Sequence, residues 1–211
     1  MGLARKITEV GSLKRQQILQ AAETEFEKYG YSGARMQRIA DAAGVPKANV
    51  HYYFSNKQSL YDAVLARVIE LWNQALAPIN VSDDPAIVLE NYVRMKVDFT
   101  RLYPTSTRIF AIELLNGGQH LSKKLMKETR DWTQDRAREI RGWIEQEKIL
   151  PVDPYHLIFL IWSTTQHYAE SETQVLSIYR KRKPSQSDHE RLADSLTTMV
   201  LRICGLSNKS N

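Results

Sequence analysis

A chain of 211 residues that is 43% apolar can bury a core without covalent staples, and its single cysteine, Cys204, excludes an intramolecular disulfide. No basic-then-apolar signal opens the sequence, and its longest strongly apolar run, residues 157–162, is far short of the ~20 needed to span a bilayer, so a soluble cytoplasmic protein without membrane contact is expected. The net charge of +5 is uneven: residues 1–57 hold nine Lys and Arg against five Asp and Glu, and residues 58–211 hold 20 against 19, as expected if the N-terminal quarter faces a polyanion.

Apolar positions recur at intervals of three and four throughout, which predicts an all-α chain. Residues 14–29 place Ile18, Ala22, Phe26 and Tyr29 on one face, with Gly30 as a left-handed C-cap. A short helix over 36–43 closes at Gly44, and Pro46 suits the opening turn of a third that runs to about Tyr53. Ser55 or Asn56 can cap a fourth, whose stripe of Leu60, Val64, Arg67, Val68, Leu71 and Ala75 ends before Pro78. After a polar break at 80–85, helices are predicted over 86–103, 105–116 and 121–147, stopped by Pro104, by Gly117-Gly118 and ahead of Pro151. One unusually apolar helix is expected over 155–179 and a last one over 187–204, with residues 180–183 as a solvated loop. Cys204 reads as a buried apolar filler.

Residues 36–54 have what a helix-turn-helix requires: two short helices around a glycine turn, an apolar inner face and a polar, basic second helix to enter the major groove. Ile39, Ala40, Ala43, Val45, Val50 and Phe54 supply the inner face, and Lys47, Ala48, Asn49, His51, Tyr52 and Tyr53 the outer one.

The ordered series Ile39-Ala40, Ala43-Gly44-Val45, Tyr52-Tyr53-Phe54, Asn56-Lys57 and Leu60 resembles the signature of the TetR family of regulators. The resemblance implies a DNA-binding domain over residues 12–72 with a three-helix helix-turn-helix, and a helical effector-binding and dimerisation domain over 73–211. It further implies a sequence-specific regulator, a repressor by analogy with the family, that binds double-stranded operator DNA as a homodimer and answers to a small molecule, with no cofactor, metal or catalytic residue. Carried through the motif, Lys47, Ala48 and Asn49 fall at base-reading positions, and Tyr53 and Lys57 at phosphate-contacting ones; Arg35, Gln37, His51 and Tyr52 complete the expected surface. The chemistry suits these roles, since Lys47 can donate to guanine and Asn49 can pair bidentately with adenine. Two departures stand out: His51 replaces a tyrosine common in relatives, and Ala34-Arg35 replace a Ser/Thr cap, at a cost of about 1 kcal/mol. The less favoured alternative is that the tyrosines are half-buried packing and Lys57 a solvated charge. Arg5, Lys6, Lys14 and Arg15 could add backbone contacts or form a disordered basic tail.

The last two helices have the broad apolar faces of a four-helix dimer interface, and a two-fold dimer calls for a palindromic operator. Residues 150–169, with Tyr103-Pro104 and 113–118, resemble most the branch of the family that regulates pyrimidine utilisation, which implies an effector such as uracil or thymine. Gln166 offers a donor and an acceptor for an imide edge, and Trp72 and Trp162 offer flat faces. Lys96, Glu113 and His167 are further polar groups on apolar helices. Plain core packing fits both tryptophans as well, and His167 reads more simply as a hydrogen-bonded core histidine. Of the rival readings, an enzyme would have to rest on Glu113 with His167, because no nucleophile elbow, phosphate loop or metal-spaced histidine cluster is present. An architectural DNA binder without effector would leave Gln166 unexplained.

Overall fold

A computed structural model describes the backbone of residues 2–75 and 79–207 and the side chains of 11–70 and 79–207. Trp72, Leu71, Ala75, Arg5 and Lys6 lie outside the described side chains. The described residues form ten helices and no strand: α1 (Gly2–Gly33), α2 (Met36–Ala42), α3 (Lys47–Tyr53), α4 (Lys57–Ala75), α5 (Pro85–Leu102), α6 (Pro104–Leu115), α7 (Lys123–Glu145), α8 (Pro154–Glu170), α9 (Glu172–Tyr179) and α10 (Gln186–Ile203). They divide into two compact units, one of Met1–Val68 with Arg108–Ser122, the other of Ile69–Thr107 with Lys123–Asn211. Both α4 and α6 therefore begin in one unit and end in the other.

In the first unit α1 buries Ile18, Leu19, Ala22 and Phe26, whereas Tyr29 stays 42% exposed beneath the Arg38 guanidinium, 4.1 Å from its ring centroid. Gly30 interrupts α1 at φ 63°, a conformation that costs a glycine nothing, and a last turn runs on to Gly33. Gly44, at φ 64°, makes the tight turn between α2 and α3. Ile39, Ala40, Val50 and Phe54 form the buried side of this pair, with Ala43 and Val45 half-buried. Neither helix has a side-chain cap of its own. The orphaned α2 terminus is instead capped from α1: Glu25 Oε1 accepts from the Arg35 backbone N–H at 3.0 Å and from Arg38 Nε at 2.6 Å. Asn56 caps α4, accepting from the Ser59 backbone N–H at 2.8 Å.

The second unit is built around α5, which packs against α8 and α10, with α7 laid against α8. Its core joins Leu89, Tyr92, Val93, Ile140, Trp143, Ile158, Ile161, Leu196, Val200 and Cys204. Cys204 is fully buried, and burial pushes its thiol up to about 11. Asp84, Asp153 and Ser185 cap α5, α8 and α10. The single helix expected over 155–179 is two helices, broken at Ser171. The packing differs on either side of the break, since α8 buries Leu157, Ile158, Ile161, Thr165 and Ala169 while α9 buries no residue. The broad apolar faces of the last helices are only partly covered: Phe159, Met199 and Ile203 are 48%, 57% and 46% exposed.

Candidate functional site

Only Val50 of α3 is buried, so the helix is anchored by one side chain and by Phe54 just beyond it. Lys47, Ala48, His51 and Tyr52 are exposed, Tyr52 at 82%, and Asn49 and Tyr53 are half-buried. The Tyr52 and Tyr53 rings meet edge to face at 5.1 Å, and His51 Nδ1 lies 3.4 Å from the Ser55 carbonyl. On α2 and its approach, Arg35 and Gln37 are exposed, with Gln37 Nε2 donating to Asp41 Oδ1 at 2.8 Å.

Lys57 departs from the sequence expectation. Its ammonium donates to the carbonyls of Tyr31, Ser32 and Ala34 at 2.7, 3.2 and 3.2 Å and sits 4.6 Å from the Tyr31 ring centroid. An ammonium has three donors, and all three are used to close the end of α1. In this arrangement Lys57 is a fastening between α1 and α4 rather than a free phosphate ligand. Three arginines of the unit are likewise engaged, Arg38 with Glu25, Arg67 with Glu23 and Arg108 with Glu27.

Glu113 also has its own structural task. Though 98% withdrawn from solvent, its carboxylate accepts from Tyr61 Oη at 3.0 Å and from the His120 backbone N–H at 2.7 Å, all within the first unit. The His120 ring lies 3.7 Å from the Tyr31 ring, and its Nδ1 is 3.2 Å from Gln58 Oε1. Burial and the Glu113 carboxylate together push the Tyr61 hydroxyl upward. Glu113 is thereby assigned to a different group from Lys96, Trp162, Gln166 and His167, which all belong to the second unit.

Within that unit Trp162 donates through Nε1 to the Tyr92 hydroxyl at 2.5 Å and faces Trp132 and Phe159 at 6.1 and 5.7 Å. Tyr92, which the sequence reading missed, is 95% buried, and its hydroxyl is pushed upward by that burial. Its signal was its place on the buried stripe of α5. A cavity of about 20 Å³ lies against Tyr92, Trp132 and Arg136, room for no more than a water molecule. Gln166 stands half-buried one turn beyond Trp162. Lys96 is only 2% exposed, and burial pulls its amine down to about 7 against the opposing pull of Glu170. His167 is exposed, not a core histidine, because it falls on the outward face of α8 with Phe159 and Ser163. It acts instead on Glu170, whose carboxyl is raised by burial and lowered by His167 and then Lys96.

Residues 18–64 match the family model for bacterial regulatory proteins of the TetR family, and residues 65–207 match that for the YcdC-like protein, C-terminal region. The chain belongs to the TetR family. It is 37% identical over 167 residues to the HTH-type transcriptional regulator RutR of Escherichia coli K12, covering 79% of each chain. Solved structures share the fold: a TetR-family regulatory protein from Rhodococcus RHA1 aligns with a TM-score of 0.71 at 20% identity, over 92% of this chain and 98% of that one. AibR in complex with isovaleryl coenzyme A and operator DNA aligns with a TM-score of 0.65 at 21% identity, over 88% and 97%. This TetR-family chain is a ligand-responsive DNA-binding transcriptional regulator, not an enzyme. TetR-family regulators bind operator DNA and small-molecule effectors and act as dimers. Among the described residues no helix is long and apolar enough to cross a membrane.

Proposed function

We propose that this regulator represses its targets from a palindromic operator and is released by a pyrimidine base such as uracil or thymine, in the cytoplasm. The reading rests on one observation: α3 buries Val50 alone and leaves Lys47, Ala48, His51 and Tyr52 in solvent. Lys47 and Asn49 read base edges while Tyr53 and Arg35 take phosphates, with Gln37, Ala48, His51 and Tyr52 in the same contact surface. Residues 12–72 serve DNA binding, and residues 73–211 serve effector binding and pairing. Two copies meet through the uncovered apolar positions of α8 and α10, Phe159, Met199 and Ile203.

The effector site is drawn from Trp162, Gln166, Lys96 and His167; Trp72, which the sequence adds to this set, lies outside the described side chains. The resemblance of residues 150–169 to the pyrimidine-utilisation branch supports a pyrimidine, and so does the amide of Gln166, which matches the donor and acceptor of an imide edge. Thermal-shift titration with uracil, thymine and adenine, followed by gel-shift release from operator DNA, tests it. Stabilisation and release by the pyrimidines alone are expected in the parent, and loss of release with intact DNA binding in Gln166→Ala. Normal release in that variant removes Gln166 from the site.

A further inference from the structure

Five cations of the DNA-binding unit, Lys14, Arg15, Lys28, Arg35 and Lys47, form none of the ion pairs recorded above, and two of them lie on α1 beside the end of α3. The Arg15 guanidinium sits over the Phe54 ring, 5.2 Å from its centroid. One turn earlier, a Cβ on Gly11 would lie 3.6 Å from the Tyr53 hydroxyl. Gly11, Lys14 and Arg15 are spaced i, i+3 and i+4, so they share one side of the helix, and this side runs along the C-terminal end of the recognition helix. Lys14 and Arg15 are nonetheless exposed. Packing on Phe54 therefore fixes the position of the Arg15 head without removing it from solvent.

We propose that this turn of α1 is a second phosphate-binding element, in which Lys14 and Arg15 grip the operator backbone beside the recognition helix. The inference rests on α3 being the groove-reading helix. A recognition helix reads bases mainly from its N-terminal residues. Its far end therefore approaches the sugar-phosphate wall of a groove only about 12 Å wide. Tyr53 and Phe54 occupy that far end, and Lys14 and Arg15 are the cations placed next to it. A guanidinium held flat on an aromatic ring keeps its in-plane N–H donors free for phosphate oxygens. Contacts of this kind carry no sequence information, so the element adds affinity and register but not discrimination.

The test uses the full-length protein, a duplex that it selects from a random-sequence pool, and a scrambled duplex of the same length. Affinities are measured from 50 to 200 mM salt for the parent, for Lys14→Gln/Arg15→Gln, for Arg15→Lys and for Lys47→Ala. Each lost phosphate contact lowers the salt slope by about 0.9, so the double variant should show a slope shallower by about 1.8 and lose roughly tenfold less affinity than the parent across that range. Its preference for selected over scrambled duplex should stay at the parent level. Arg15→Lys, which keeps the charge, should recover most of the slope. Parent-like slopes in the double variant overturn the proposal, and so does a loss of preference with the slope unchanged. Lys47→Ala reports on base reading separately: if it keeps full preference while the double variant flattens the slope, the base-reading role of Lys47 fails and the α1 element stands.

Discussion

Tyr61 and Glu113 are 52 residues apart in sequence, yet the phenol donates to the carboxylate at 3.0 Å in a site closed to water. The bond ties α4 to the end of α6, and the His120 backbone N–H holds the second oxygen. Both residues lie in the first compact unit, where the pair joins two helices that are far apart in the chain.

Tyr61→Phe should therefore destabilise the protein. It leaves a buried carboxylate with one donor fewer, at a cost of about 1–3 kcal/mol. For a chain of this size that lowers Tm by roughly 3–9 °C. In a double-mutant cycle with Glu113→Gln, followed by thermal denaturation, the two effects should be non-additive by at least about 0.5 kcal/mol. Additive losses contradict the coupling.

Lys57 gives a second prediction. Lys57→Met removes three charge-assisted bonds to the carbonyls that end α1, so Tm should fall and operator binding should weaken with it. Because its ammonium is spent on the protein, the salt slope of the remaining affinity should match the parent's. A slope shallower by about 0.9 would return Lys57 to the phosphate contacts.

Lys96 makes stability depend on pH. Its amine titrates near 7 in the folded protein and at about 10.4 when unfolded, so between those values the unfolded chain holds a proton that the folded chain lacks. Stability contributed at this site consequently rises from about pH 7 to 10 and is lowest at and below 7. Lys96→Met should raise Tm most at pH 6 to 7, by up to an order of 4 kcal/mol in unfolding free energy, and least near pH 10. A gain independent of pH denies the buried, depressed amine. If Lys96 also holds the effector, the same variant loses the pyrimidine thermal shift.

What the sequence showed and what it hid follow from the range of the interactions. Periodicity, Gly30, Gly44 and the prolines are local signals, and they locate most of the helices and the exposed side of α3. The break at Ser171 has no Pro or Gly to mark it. Ser171 ahead of Glu172 was the available sign, a capping residue followed by an acid in the first turn, but it stood within an otherwise continuous apolar pattern. Glu25 capping α2, Tyr61 holding Glu113 and Lys57 closing α1 are contacts between residues 10 to 52 apart, which no local window registers. The polar residues on apolar helices differ in their surroundings. Their partners decided the outcome: Glu113 is satisfied within the DNA-binding unit, whereas Gln166 and Lys96 stand in the other.

The recognition surface gives the last prediction. Lys47 is exposed at the first residue of α3 and Asn49 is half-buried one residue beyond Ala48, so truncating either leaves the buried contacts of Val50 and Phe54 in place. Stability should change by no more than about 0.5 kcal/mol, the range of ordinary surface substitutions. Operator affinity should fall by about 1–3 kcal/mol per lost base pairing, and the loss should appear as relaxed preference at one position of each half-site. Lys47→Ala should relax selection for guanine and Asn49→Ala for adenine, read by competition among single-position variants of the selected duplex. A uniform loss across all variants would place these side chains on phosphates. An unchanged affinity would mean that the groove is read by another surface.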